Sequence, residues 1–177
     1  MLRGERVTLR PTERADLPRL WELLEDMDVA VLADGGPVVP TSLSRYEARF
    51  DRQIVDPPND RIEFVIEADG ELVGQCQLHY IDHFHRRCDL GIALGREYWG
   101  RGLGQDAVRV LVDYAFTHLD LRRVGLRVLA DDARAVGAYT KAGFVEEGRL
   151  RGYSIVEGRT HDDLLMAAIR DDGFPSV

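Results

Sequence analysis

The sequence predicts an α/β fold of the α+β kind, one mixed and mostly antiparallel sheet flanked by helices. Three observations carry that prediction. Apolar runs joined by tight-turn residues occupy the first half, a glycine-rich turn then opens a long helix with an apolar stripe, and strand and helix patterns alternate from there onward. Antiparallel strands thus lead into a β-α-β-α-β section, and a mixed sheet accommodates both. The chain has 177 residues, room for one domain with a proper core and too few for two comfortable ones. No repeat, low-complexity tract or linker interrupts it, so residues 1–177 read as a single domain.

Val7–Leu9 reads as a short strand. Asp16 has the character of an N-cap, with Pro18 tolerated in the first helical turn; Leu17, Leu20, Trp21, Leu24 and Met27 follow at helical spacing toward the core. Ala33–Pro40, holding Gly35–Gly36–Pro37, is expected to be a loop, and Ser44 to cap a helix that runs to about Val55 and is ended by Asp56–Asp60. Strands through Phe64–Ile66 and Leu72–Ile81 flank Asp69–Gly70, a strong hairpin signal. A second hairpin is expected to turn near Asp82–His83 and return through Cys88–Leu94. After Gly100–Gly104 comes a helix whose Leu103, Ala107, Val110, Leu111, Tyr114 and Ala115 form one stripe. Val124–Ala130 reads as a strand and Asp132–Ala142 as a short helix. Phe144 opens another strand, and Tyr153–Val156, a Glu157–Gly158 turn and Leu164–Ile169 close the pattern.

Net charge is −8 and the isoelectric point is near 5.1. Phosphate neutralisation supplies most nucleic-acid affinity, and no basic face is visible, so a nucleic-acid partner is not expected. The acidic balance suits attraction of cationic amines and is equally the ordinary state of a soluble enzyme. No apolar run approaches the ~20 residues of a membrane helix, and Met1 leads straight into a charged segment. Neither membrane span nor signal peptide is expected, and with two cysteines, Cys76 and Cys88, that form no disulfide framework, cytoplasmic residence is the default.

The segment Gly91–Leu94, followed by Trp99–Gln105, carries most of the chemistry. A strand ends, glycines let the backbone approach a ligand, and a helix start supplies unpaired N–H groups at a positive dipole end. Together these make a diphosphate site, with a plain tight turn as the alternative. A Rossmann dinucleotide site needs its glycines after the first strand, and a P-loop needs Lys-Ser/Thr after the last glycine; this sequence offers neither.

Trp99–Gly104 resembles the Q/R-x-x-G-x-G/A acetyl-CoA motif of the GNAT superfamily, with Trp99 standing where that pattern has Gln or Arg. Asp132–Phe144 is similar to the superfamily's N-x-x-A…Y-x-K-x-G-F block, with Asp132 replacing Asn. Arg6–Pro11 and Glu147–Arg151 further resemble the RimJ/RimL-like branch of ribosomal-protein N-terminal acetyltransferases, and the C-terminal half also resembles spermidine acetyltransferases. The resemblance implies the GNAT fold, with helices on both faces of the sheet and two central parallel strands that splay apart around acetyl-CoA. It implies transfer of an acetyl group from acetyl-CoA to a primary amine in a ternary complex, without a metal.

On this resemblance Ile92, Ala93 and Leu94 contact the pantetheine, and the Ile92 N–H polarises the thioester carbonyl, a term often worth ~3 kcal/mol. Gly100, Arg101, Gly102, Leu103, Gly104 and Gln105 hold the pyrophosphate. Arg101 and Arg134 either approach the nucleotide phosphates or stay solvated. Tyr139 matches the tyrosine that protonates the departing thiolate: a hydroxyl of pKa ~10 donates to a thiolate of pKa ~8.5. Asp132 either accepts from the pantetheine amide or caps its helix. Asp89 is the first candidate for a base, directly or through water, ahead of Glu97 and Asp82; proton loss to bulk through water is the alternative.

The cluster His79, His83 and His85 invites a metal reading, which lacks its remaining ligands. A turn at Asp82 sets His79 opposite His85 and Cys76 opposite Cys88, as reduced thiols rather than a bridge. Neither cysteine lies in the donor segments, against an acetyl-cysteine intermediate. The acceptor reading favours a protein N-terminal α-amine, with a polyamine, amino sugar, amino acid or antibiotic also open. A non-catalytic acyl-CoA-binding regulator is the reading of a different class, and homodimerisation is left open.

Overall fold

Two-residue turns set the registers of the sheet in the computed structural model, which describes residues 1–34 and 38–172. In chain order the elements are β1 (Leu2–Arg3), β2 (Thr8–Arg10), α1 (Leu17–Leu24), α2 (Met27–Asp34) and α3 (Leu43–Val55). Then follow β3 (Ile62–Ala68), β4 (Glu71–Asp82), β5 (Arg87–Leu94), α4 (Leu103–Thr117), β6 (Arg123–Leu129), α5 (Ala133–Lys141), β7 (Val145–Val156) and β8 (Arg159–Ile169). Asp69 and Gly70 close β3 onto β4 with φ of 52° and 81°; Glu157 and Gly158 close β7 onto β8 with 50° and 76°. Paired positive φ is the type I′ geometry whose twist matches the flanking strands. The strands form one sheet in the order β1-β2-β3-β4-β5-β6-β8-β7, parallel only between β5 and β6.

Helix α4 lays Ala107, Val108, Leu111, Val112 and Ala115 into a core shared with Leu78, Leu90, Val124 and Phe144. Phe64 and Ile66 of β3 turn into the same core, while Val65, equally buried, points to the opposite face, so both faces are covered. There α1 and α2 pack on β4 and β5.

Several local expectations are corrected. Leu17, Leu20 and Leu23 are the buried residues of α1, and Met27 is exposed because the helix stops at Leu24 and a new one begins at Met27. Asp16 does not cap α1 with its side chain: the Arg10 guanidinium holds both its oxygens, at 2.7 and 2.8 Å, and the Glu13 N–H donates to it at 2.7 Å. That ion pair keeps the Asp16 carboxyl below the usual carboxylate range. Ser42, not Ser44, caps α3, its Oγ accepting the Arg45 N–H at 3.3 Å. Of the expected loop at Ala33–Pro40, Ala33 and Asp34 complete α2, and Gly35–Pro37 lie outside the described residues. The β4–β5 register sets His79 opposite Asp89 and Cys76 opposite Ile92, because the connection spans residues 83–86 and an irregularity falls between His79 and Asp82.

Asp106, in the first turn of α4 and 7% exposed, ties the N-terminal hairpin to this helix. Its carboxylate accepts the N–H groups of Arg6 at 2.7 Å, Val7 at 3.0 Å and Glu5 at 3.3 Å. Replacing Asp106 by Ala strands those donors, and we expect a loss of about 2–3 kcal/mol in urea unfolding; an unchanged midpoint would show that the hairpin docks without it.

Candidate active site

Strands β5 and β6 pair only at Arg87–Arg123, Cys88–Val124 and Asp89–Gly125, after which Leu90–Leu94 and Leu126–Leu129 diverge. The Gly95 N–H donates to the Val73 carbonyl at 3.0 Å, which sets the alternation of the β4–β5 ladder. Ala93 and Gly91 therefore bond toward β4, and the N–H groups of Ile92 and Leu94 point the other way, into the gap between β5 and β6. The Leu94 carbonyl is held by the Trp99 indole N–H at 2.9 Å.

A cavity of about 420 Å³ occupies this gap. Among the residues singled out from the sequence, Asp89, Ile92, Ala93, Leu94, Gly104, Asp132 and Tyr139 line it, as do His79, Gly91, Trp99 and Arg134. Gly100, Arg101, Gly102, Leu103 and Gln105 are not part of its wall; they form the turn and first helical residues beside Gly104. Gly100 and Gly102 take φ of 74° and 80°, the left-handed region that other residues enter at a cost of ~1–2 kcal/mol. The first helical bond of α4 runs from the Asp106 N–H to the Gly102 carbonyl at 3.1 Å, leaving the N–H groups of Leu103, Gly104 and Gln105 free among the described residues.

Asp132 caps α5, its Oδ1 accepting the Ala135 N–H at 2.9 Å while Oδ2 accepts from Arg134 at 3.1 Å. The Arg134 guanidinium also lies 4.1 Å over the Trp99 ring, where both side chains line the cavity. The Arg101 guanidinium lies 5.5 Å over the Tyr98 ring. Tyr139, on α5, lines the cavity with a hydroxyl that makes no hydrogen bond among the described residues. Burial pushes that phenol up to about 12, reinforced by Asp132 and opposed by Arg134.

Asp89 is exposed, and its Oδ1 reaches over Gly125, where a Cβ would stand only 2.7 Å away. Directly across the ladder, His79 lines the same cavity, its Nδ1 buried and without a partner among the described residues. Burial pushes the His79 imidazole below its usual value, against the pull of Asp89, which leaves the ring neutral near pH 7. His83 is exposed and the His85 ring Nδ1–H donates to Asp82 at 2.7 Å, so the histidine cluster is dispersed. Glu97 and Asp82 lie outside the cavity wall, paired with Arg19 and His85. Among the described residues no three His, Cys, Asp or Glu side chains converge as metal ligands. Cys76 and Cys88 are free and buried; burial raises both thiols, Cys88 to about 12 with Asp89 adding to it.

Sequence reasoning missed one group on the far wall. Asp163, 3% exposed, lines the cavity with Oδ1 unpartnered, while Oδ2 accepts from Ser154 at 2.9 Å and Arg127 at 3.0 Å. It sits one residue before the Leu164–Ile169 run, at a strand position where a polar residue reads as solvated surface.

Two parallel strands that part before two helix N-termini leave a cleft at their carboxyl ends. The acetyltransferase (GNAT) domain family matches residues 6–145, and the chain belongs to that family as an acetyl-CoA-dependent N-acetyltransferase. It is 33% identical over 160 residues to spermidine N(1)-acetyltransferase of Escherichia coli K12, covering 90% of this chain and 84% of the relative. It is 29% identical over 164 residues to the putative ribosomal N-acetyltransferase YdaF of Bacillus subtilis, covering 90% and 88%. The solved spermidine N-acetyltransferase of Vibrio cholerae, in complex with CoA and spermine, superposes with a TM-score of 0.85 at 28% identity, covering 95% and 98%.

Because Asp132 satisfies the start of α5, Asp132→Ala is expected to lower stability by about 1 kcal/mol. Thermal unfolding at matched protein concentration measures it; a shift near zero would mean that solvent replaces the cap.

Proposed function

We propose that this chain moves the acetyl group from acetyl-CoA directly to an α-amine in a ternary complex, with Tyr139 as the acid. The observation that carries the reading is the pairing of outward N–H groups on Ile92 and Leu94 with an unbonded, strongly protonated Tyr139 hydroxyl across one gap. The Ile92 N–H stabilises the oxyanion as the amine nitrogen attacks the thioester carbon. The C–S bond then breaks, and the Tyr139 O–H donates to the sulfur as it leaves. The free N–H groups of Leu103, Gly104 and Gln105, at the positive end of α4, bind the pyrophosphate, with Gly100–Gly102 shaping their approach. Both thiols are buried and held protonated, which supports direct transfer over an acetyl-cysteine intermediate.

Asp89 and the neutral His79 flank the acceptor side and take up the proton that the amine loses, Asp89 through water. An α-amine of pKa ~8 asks little of such weak bases, whereas a polyamine nitrogen near ~10.4 must first give up a proton at a cost of ~4–5 kcal/mol at pH 7. That difference supports the α-amine over the polyamine acetylated by the enterobacterial relative.

Tyr139→Phe is expected to lower kcat about a hundredfold while CoA still binds in calorimetry; normal turnover in this variant would remove Tyr139 from the mechanism. A raised phenol pKa keeps the donor protonated below its folded value and loses it only as pH rises through about 12. On its alkaline side the kcat profile should therefore hold past pH ~10, where an ordinary tyrosine is half ionised. A fall centred at that value would contradict the buried phenol.

A further inference from the structure

A second cavity, of about 590 Å³, opens between α3 and the β4–β5 hairpin and shares Arg61, Gln77, Gly91, Ile92 and Ala93 with the transfer cleft. Its wall is cationic. Arg45, Arg49 and Arg52, spaced for one face of α3, line it together with Arg61. Opposing them are Glu25 and Glu63; Glu25 accepts the Thr41 N–H at 2.9 Å, and Glu63 lies 3.5 Å from Arg61. Arg45 and Arg52 make no ion pair among the described residues, and Arg49 lies 5.1 Å over the Tyr46 ring, which leaves its charge unneutralised. Elsewhere on the surface most arginines are matched: Arg14 with Asp51, Arg19 with Glu97, Arg86 with Asp120, Arg123 with Glu147 and Arg149 with Asp162. In a chain of net charge −8, three arginines without a carboxylate partner among the described residues thus gather on the wall of one cavity.

We infer that the acceptor carries an anionic group beside its amine, a carboxylate of a free amino acid or of an acidic peptide, and that Arg45, Arg49, Arg52 and Arg61 bind it. The inference rests on the transferase reading above and refines it. The shared wall at Gly91–Ala93 lets one molecule reach from the arginines to the transfer point. A guanidinium binds a carboxylate through a two-pronged, charge-assisted hydrogen bond, and a polyamine meets repulsion on the same wall.

The test measures CoA release with matched acceptor pairs: serine-led peptides followed by two Glu or two Gln residues, glutamate and glutamine α-amides and their free acids, and spermidine. The acidic member of at least one pair is expected to have a kcat/KM about tenfold above its neutral partner and above spermidine. A peptide-only preference identifies a protein N-terminus and a free-acid-only preference a small metabolite; both support the anionic acceptor. In Arg49→Gln/Arg52→Gln the acidic-to-neutral ratio should fall toward one, and this ratio is internal to each preparation, so lost folded protein cancels from it. Transfer that ignores the carboxylate, or that favours spermidine, overturns the inference and leaves the transferase reading intact. No transfer to any amine of either charge overturns both.

Discussion

Everything chemical in this molecule depends on a parallel strand pair that stops pairing. β5 and β6 share a ladder only as far as Asp89 and Gly125, and backbone polar groups beyond that point face a cavity instead of a neighbour. Buried N–H groups are costly without partners, so a sheet interior tolerates such a break only where other polar groups can reach it. Parallelism adds the second half of the arrangement. Both strands run toward the same end of the sheet, so the helices that follow them, α4 and α5, begin at the same mouth. One supplies free N–H groups after a glycine turn, and the other supplies a capped start with Tyr139 two turns along.

How much of this could be read from residues alone depended on how local the determining physics was. The Asp69–Gly70 and Glu157–Gly158 turns and the α4 stripe are set by near neighbours in sequence and were legible, and the Asp132 cap, equally local, was one of two readings left open. The β4–β5 register was not, because the connection adds residues that no propensity counts, and the shift moved His79 from His85 to Asp89. Asp16 likewise has the character of a cap, yet Arg10, on a different element, outcompetes the helix for its carboxylate. Asp163 was invisible because its burial comes from β7 and Arg127, not from its own strand pattern.

Bulk charge misled in a related way. An acidic composition suggests attraction for cations, but a share of the acidic side chains on the surface, Asp51, Asp120 and Glu147 among them, is committed to arginines in pairs worth little individually. What a ligand meets is the remainder, and at the cavity under α3 the remainder is positive.

The N-terminal turn has a consequence in time. The Arg6 guanidinium donates to the Arg101 carbonyl at 3.0 Å, and Asp106 receives the backbone of residues 5–7 from about a hundred positions downstream. Contacts of such long sequence separation are slow to form, since loop closure precedes any reward. During synthesis at ~5–20 residues per second, the β1–β2 hairpin waits roughly 5–20 s for the helix that anchors it. The glycine turn takes its final support from a segment far upstream, so it settles late, once those two segments have met.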